Sequence, residues 1–369
     1  GTLVSASEQA VSAAKNAADA AKAAGEFSME QAKNAAEKGA SMTSSVTSSV
    51  TAPLSGGLSG VTGSLGGLTS MVPGMTSNYK GSLCSDDSPL VETSVRVATL
   101  SVWWRHHEWE ERQERIVEAL RGINADIICL QDVWAEAGKG GKNQAQAIAE
   151  ALDLKFAFEG KKTINDGDGV PCITGCAVLS KWNITASSLK PLSASGYEDE
   201  GRCVLRAEIE GERGPIHAYS ASLCTKLGAS DARIAQVKEV CNFIKSAKSP
   251  PPKEGEKAPL PVLCGMFGGA PDSDELRMLT GRAPVPVKEL VFVDAWESAG
   301  EGPGATWSTT NPFASAELLP SKRTSYVMAP PPSAGGRGHV TKAAVFANSL
   351  IPGVLPPSCH YGVVADIRY

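Results

Sequence analysis

Aromatic residues make up only 6% of this 369-residue chain, and its first quarter has almost none. Residues 1–90 hold Phe27 and Tyr79 but no Trp or His, whereas all seven Trp and all five His lie beyond position 100. Without large side chains that quarter cannot bury a core of its own. Charge is also missing where a solvated linker or a nucleic-acid arm would carry it: residues 39–79 contain no charged group. The formal net charge is −5 and no Lys/Arg-rich run interrupts it, so nothing marks a polyanion track, and nucleic acid is not an expected partner. No apolar run of 18 or more residues occurs, which excludes a membrane-spanning helix on this pattern. A disulfide framework is also lacking. The nine Cys are odd in number and irregular in spacing, as expected of free thiols in a reducing compartment. Cys172 and Cys176 lie close in sequence, but no second pair follows at zinc-ribbon spacing, so no structural metal is expected. The first residue is Gly rather than Met, which fits removal of a targeting segment.

The core-poor quarter still has a pattern. Residues 5–24 and 29–38 read as short Ala-rich helices, with capping boxes at Ser5/Glu8 and Ser28/Gln31 and C-terminal glycines at Gly25 and Gly39. The segment AKNAA occurs at 14–18 and again at 32–36. An uncharged Ser/Thr/Gly stretch follows. A ladder of larger apolar residues, including Val50, Leu54, Leu58, Val61, Leu65 and Leu68, runs through it at spacings of three and four. Such a segment is either a flexible linker or an arm that takes shape on a partner. The second reading is the expectation here, with Leu54, Leu58, Val61, Leu65 and Leu68 as partner-binding residues.

From Ser94 the composition becomes that of a folded α/β domain, expected over 91–369. Strands are predicted at VRVATLSV, ADIICLQDVW, GCAVLS, VLRAEIE, IHAYSASL, PVLCGMF, TSYVMA and VVADIRY. Helices are predicted at 108–121, 143–152 and 231–247, the first with Trp109, Ile116, Val117 and Leu120 on one stripe. This order suggests two sheets with helices packed outside. The Pro-rich segments at 249–261 and 330–332 read as exposed connectors, and His106 and His107 as a solvent-facing helix start.

Several of these segments, among them the 94–134 stretch, GCAVLSKW, GMFGGAPDSDELRMLTG, GPGATWSTTNPFA, RTSYV and PPSCHYGVVAD, resemble in order the motifs of the endonuclease/exonuclease/phosphatase superfamily. The resemblance covers roughly 94–369. It implies a four-layered α/β sandwich of two packed mixed sheets flanked by helices, and a metal-dependent phosphoesterase ancestry shared with deoxyribonucleases, repair nucleases, inositol phosphatases and sphingomyelinases. Scaffold positions that fit the pattern include Trp103, Trp134, Asp272, Asp274, Glu275, Asp294, Trp296 and Trp307.

The catalytic positions implied by the resemblance are almost all altered. Ser101 stands where the first strand carries Asn, and Asp132 takes the place of the metal-binding Glu. Ser222 replaces the His of Thr-His-Leu. Met266 and Gly268 replace the Asp and Asn of Gly-Asp-Phe-Asn. Ser325 replaces the Asp that holds the catalytic His, and Cys359 the Asp of Ser-Asp-His; only His360 is unchanged. Magnesium prefers carboxylate oxygen, and Asp132 alone remains to offer it. Met266 cannot accept a proton from water. The expectation is therefore a catalytically inactive pseudoenzyme, with no catalytic, metal or cofactor residues, that serves as a structural linker subunit. Its arm over 1–90 would bind neighbouring subunits of a larger assembly, such as a peripheral position on a respiratory or photosynthetic complex in an organelle. Two alternatives stand beside it. One is a phosphate-ligand binding module lined by Arg202, Arg323 and His360. The other is a residual phosphodiesterase or phosphatase using Asp132, Cys359 and His360, with zinc as the metal suited to a thiolate.

Overall fold

The structure, a computed structural model, describes residues 90–247, 257–349, 351 and 353–369. The expectations for residues 1–89, including the Ala-rich helices and the partner-binding ladder at Leu54, Leu58, Val61, Leu65 and Leu68, lie outside the described residues.

Two six-stranded sheets form the domain. The first contains β1 (Ser94–Ser101), β2 (Ile127–Glu136), β3 (Lys155–Asn165), β4 (Pro171–Ser180), β11 (Val340–Phe346) and β12 (Gly362–Arg368), in the order β11-β12-β1-β2-β4-β3. The second contains β5 (Ile184–Pro191), β6 (Cys203–Gly211), β7 (Gly214–Ser222), β8 (Leu260–Met266), β9 (Val293–Asp294) and β10 (Ser325–Ala329), in the order β5-β6-β7-β8-β10-β9. Each sheet has one parallel pair near its centre, β1 with β2 and β7 with β8; the remaining pairings are antiparallel. The helices are α1 (Trp109–Ile123), α2 (Gln144–Leu152), α3 (Ser230–Ser246) and the short α4 (Asp274–Leu279), α5 (Ala295–Ala299) and α6 (Pro312–Ser315).

Side-chain alternation along the strands explains the layers. Val95 and Val97 of β1, with Ile127 and Cys129 of β2, point toward the second sheet and meet Leu205, Ala218, Val262 and Val327 there. Their neighbours Ala98, Leu100, Ile128 and Leu130 point the other way and pack on Ile116 and Leu120 of α1 and Ile148 of α2. Across the second sheet, Tyr219, Ala221 and Leu263 pack under Val237, Val240 and Cys241 of α3. The order is helices, sheet, sheet, helices, as the resemblance implied. The observed α1, α2 and α3 match the predicted helices to within two residues at either end.

The eight cysteines among the described residues are free and buried. Cys172 and Cys176 sit four residues apart on β4, which separates them by about 13 Å along an extended strand and rules them out as ligands of one ion.

The core becomes polar toward one end of the sandwich. Between the sheets, Thr99 donates to Gln131 Oε1 (3.2 Å), Gln131 Nε2 donates to Ser220 Oγ (2.9 Å), and Ser220 donates to the Leu130 carbonyl (2.9 Å). All three side chains are fully buried. Two residues beyond Thr99 and Ser220, β1 ends at Ser101 and β7 at Ser222, and β8 ends beside them at Met266. The candidate site lies at this end, where the parallel strands release their C-termini.

Candidate functional site

Asp132 owes its position to a bulge. The β2–β4 register shifts between Leu130 and Val133, and Asp132 adopts a left-handed backbone with φ 54°. That conformation costs a non-glycine residue roughly 1–3 kcal/mol, and it turns the carboxylate out of the strand toward the end of the sheet. Both carboxylate oxygens are then taken. Ser101 donates to Oδ2 (2.6 Å), while Arg202 Nη1 (3.0 Å) and Ser222 (3.2 Å) donate to Oδ1.

Arg202 is the centre of this cluster. Its Nη1 also donates to Ser222 (2.8 Å), its Nη2 to Glu200 (2.6 Å) and Thr225 (3.2 Å), and its Nε to Glu200 (3.1 Å). Lys226 completes the set with a 2.9 Å ion pair to Glu200. Burial raises the Glu200 carboxyl, but Arg202 and Lys226 outweigh it and hold the group below its ordinary value. Burial likewise lowers Arg202, and Asp132 and Glu200 outweigh it in the other direction. Two carboxylates and two cations thus neutralise one another.

The remaining positions meet around one cavity of about 600 Å³. Asp132, Arg202, Met266, Gly268, Cys359 and His360 line it. Ser101 and Ser222 lie beneath it, bonded to Asp132, and Ser325 is fully buried with its hydroxyl unpartnered. His360 has no carboxylate at Nδ1; Thr324 Oγ1 lies 3.3 Å away instead. Burial is the main cause that lowers its pKa to about 4, and Lys322 and Arg202 act in the same sense against Asp132. The imidazole is therefore neutral at pH 7. Burial also pushes the Cys359 thiol up, so it is no thiolate.

The metal ion that the family resemblance implies would have to be held by these residues. They do not fit one. Both oxygens of Asp132 are occupied and Arg202 stands against it, Cys359 is a buried thiol, and among the described residues no group of three or more His, Cys, Asp or Glu could hold an ion. The Asp132–Cys359–His360 zinc alternative fails on the same ground.

One sequence expectation needs correction. Arg323 does not line the cavity: it is 4% exposed and bonds Asp294, the N-cap of α5, because a buried guanidinium needs a carboxylate close by. His106 and His107 are exposed just before α1, as expected, and His106 also lines the cavity with Trp103 and Trp104. That wall is unusual in backbone. Trp103 and Trp104 are consecutive left-handed residues (φ 60° and 44°). Arg112 of α1 holds them, donating to the carbonyls of Val102 (2.9 Å), Trp104 (3.1 Å), His106 (2.7 Å) and Pro357 (3.0 Å). This buried guanidinium, lowered to about 10 by desolvation, ties the loop after β1 to the loop before β12.

Sequence reasoning missed Glu200, Lys226, Lys322, Thr324 and Phe313 as lining residues. Lys322 and Thr324 flank Arg323 in the RTSYV motif, so adjacency to the motif was the available signal. Glu200 and Lys226 carried none, because only folding brings their loops together.

A family model described as the endonuclease/exonuclease/phosphatase family matches residues 102–316, more than half of the chain. No match is found among curated proteins. Solved structures similar in fold include zebrafish (D. rerio) TDP2 complexed with a single-strand DNA product, at 16% identity, TM-score 0.55, and coverage of 75% of this chain and 100% of that one. The human Nocturnin catalytic domain with bound sulfate is 17% identical, with TM-score 0.50 and coverage of 74% and 93%. An endonuclease/exonuclease/phosphatase protein from Beutenbergia cavernae is 20% identical, with TM-score 0.51 and coverage of 74% and 71%. The match to a family named for nuclease and phosphatase activity overturns the expectation that this chain is no enzyme. The substituted positions show only that the family's usual ligands are absent. The chain belongs to the endonuclease/exonuclease/phosphatase family.

Proposed function

We propose that this chain is a phosphoester hydrolase that receives a small phosphate ester in the cavity at the end of the sandwich and cleaves it slowly, without a carboxylate-bound metal ion. The observation that carries this reading is Arg202, a fixed guanidinium held between Asp132 and Glu200 in a cavity that also contains neutral His360. A cation fixed in a part-buried site stabilises charge on a phosphoryl group without reorganising. Water attacks phosphorus, the P–O bond to the leaving group breaks, and the neutral imidazole of His360 accepts the proton from water. An imidazole lowered to about 4 is a weak base, and Met266 offers no assistance, so turnover is slow: the missing base is worth about 10²–10⁴ in rate. A small ester suits the cavity better than a nucleic-acid strand, since the chain is acidic overall.

The test is release of p-nitrophenol from p-nitrophenyl phosphate and bis(p-nitrophenyl) phosphate in EDTA. We expect slow release above the buffer rate that falls at least tenfold in His360→Ala. Release that is absent, insensitive to that substitution, or abolished by EDTA overturns the reading.

A second reading concerns residues 1–90, whose uncharged stretch with a spaced apolar ladder supports attachment to other subunits of an assembly. The free thiols agree with a reducing compartment, organellar or otherwise. Limited proteolysis tests it: residues 1–90 should be cleaved in purified protein and protected in native extract. Equal cleavage in both would end this reading.

A further inference from the structure

The cavity holds a cation that the ion-pair cluster does not use. Lys322 is rooted by backbone bonds on both sides: its N–H donates to the Trp307 carbonyl (2.9 Å), and its carbonyl accepts from Thr306 (3.1 Å) and Trp307 (3.0 Å). Its Nζ makes one long contact, to the Gly268 carbonyl at 3.4 Å, and no ion pair among the described residues. The nearby charges are committed elsewhere. Arg233 pairs with Glu275, Arg202 with Asp132 and Glu200, and Lys226 with Glu200. Glu317 also lines the cavity, but from an exposed position.

We propose that Lys322 makes the direct contact to a phosphoryl oxygen beside His360, with the paired Arg202 contributing only its fixed charge nearby, in place of the metal ion that the family's usual ligands would hold. The inference rests on the phosphoester reading above. Three observations support it beyond the missing partner. Lys322 lines the same cavity as His360 and Arg202. It is close enough to His360 to disfavour a second positive charge there. Burial, with Arg233 adding and Glu275 opposing, lowers the amine below its ordinary value, as expected of a cation that lacks an adjacent anion. An arriving phosphate would supply that anion. Trp103, Trp307 and Phe313 also line the cavity, and their aromatic rings suit the organic part of an ester.

The experiment uses the full chain in EDTA at low ionic strength, with binding of phenyl phosphate measured by calorimetry and by its ³¹P shift. Wild type should bind. Lys322→Gln should bind about 10- to 100-fold more weakly, the range for losing a charge-assisted hydrogen bond. Lys322→Arg should recover most of that loss, and all three proteins should share one thermal midpoint within a few degrees. Binding unchanged in Lys322→Gln would overturn the role of Lys322 and leave the phosphoester reading standing. Failure of wild type to bind phenyl phosphate would overturn both.

Discussion

Lowering the pH should destabilise this protein through His360 by an amount that its surroundings set. The imidazole is 7% exposed, packs edge-on against Trp307 with ring centroids 5.0 Å apart, and is held down to about 4 chiefly by burial. In the unfolded chain it would titrate near the ordinary value of 6.5. Between these values the unfolded state binds the proton and the native state does not. Stability from this group is therefore complete above about pH 6.5 and declines as pH falls toward 4. Going from pH 7 to pH 5 should remove about 2 kcal/mol, and reaching pH 4 about 3 kcal/mol. Urea unfolding followed by tryptophan fluorescence at stepped pH measures the slope, and His360→Gln isolates it, because His106 and His217 are also lowered by burial and remain in both proteins. The wild-type minus variant difference should carry the 2 kcal/mol. A slope identical in His360→Gln, or a His360 imidazole resonance that titrates near 6.5, would refute the argument that burial keeps this ring neutral.

Other consequences follow from the same contacts. Arg112→Met should cost about 3–5 kcal/mol in urea unfolding and alter the fluorescence of Trp103 and Trp104, because it strips the carbonyls of Val102, Trp103, Trp104, His106 and Pro357 of a donor and frees a strained loop. Arg202→Met should cost about 1.5–3 kcal/mol by leaving Asp132 without its cation and Glu200 with Lys226 alone, whereas Arg202→Lys should recover only part of it, since an ammonium cannot fork between two carboxylates. In a Cys84→Ser background the native protein should show almost no thiol reactive toward a disulfide reagent within minutes and eight after unfolding, because every described cysteine is buried. Fast labelling of any of them in the native state would contradict that burial.

The strands that alternate cleanly or are buried on both faces, β1, β2, β4, β6, β7, β8, β10 and β12, were legible in the sequence because burial imposes an apolar pattern on them. The strands that went unread, β3, β5, β9 and β11, are the four sheet edges. An edge strand such as β5, with only intermediate or exposed residues, has little apolar pattern to read. Of the site, the family resemblance picked out Asp132, Met266, Gly268, Cys359 and His360, and all five line one cavity. The inference from their substitution to an inert protein did not hold, because a list of missing ligands says nothing about what fills their place.

The sequence by itself determined the two-sheet sandwich, its helices and the family, since periodic burial and ordered motifs are properties of short segments. Only the tertiary structure decided the chemistry of the site. Arg202 and Glu200 come from the loop before β6, Lys226 from the loop after β7, and Lys322 from the segment before β10. Whether a given cation is neutralised or left without an anion depends on distances across those loops. Folding pairs Arg202 with two carboxylates and gives Lys322 none among the described residues, and no spacing along the chain encodes that difference.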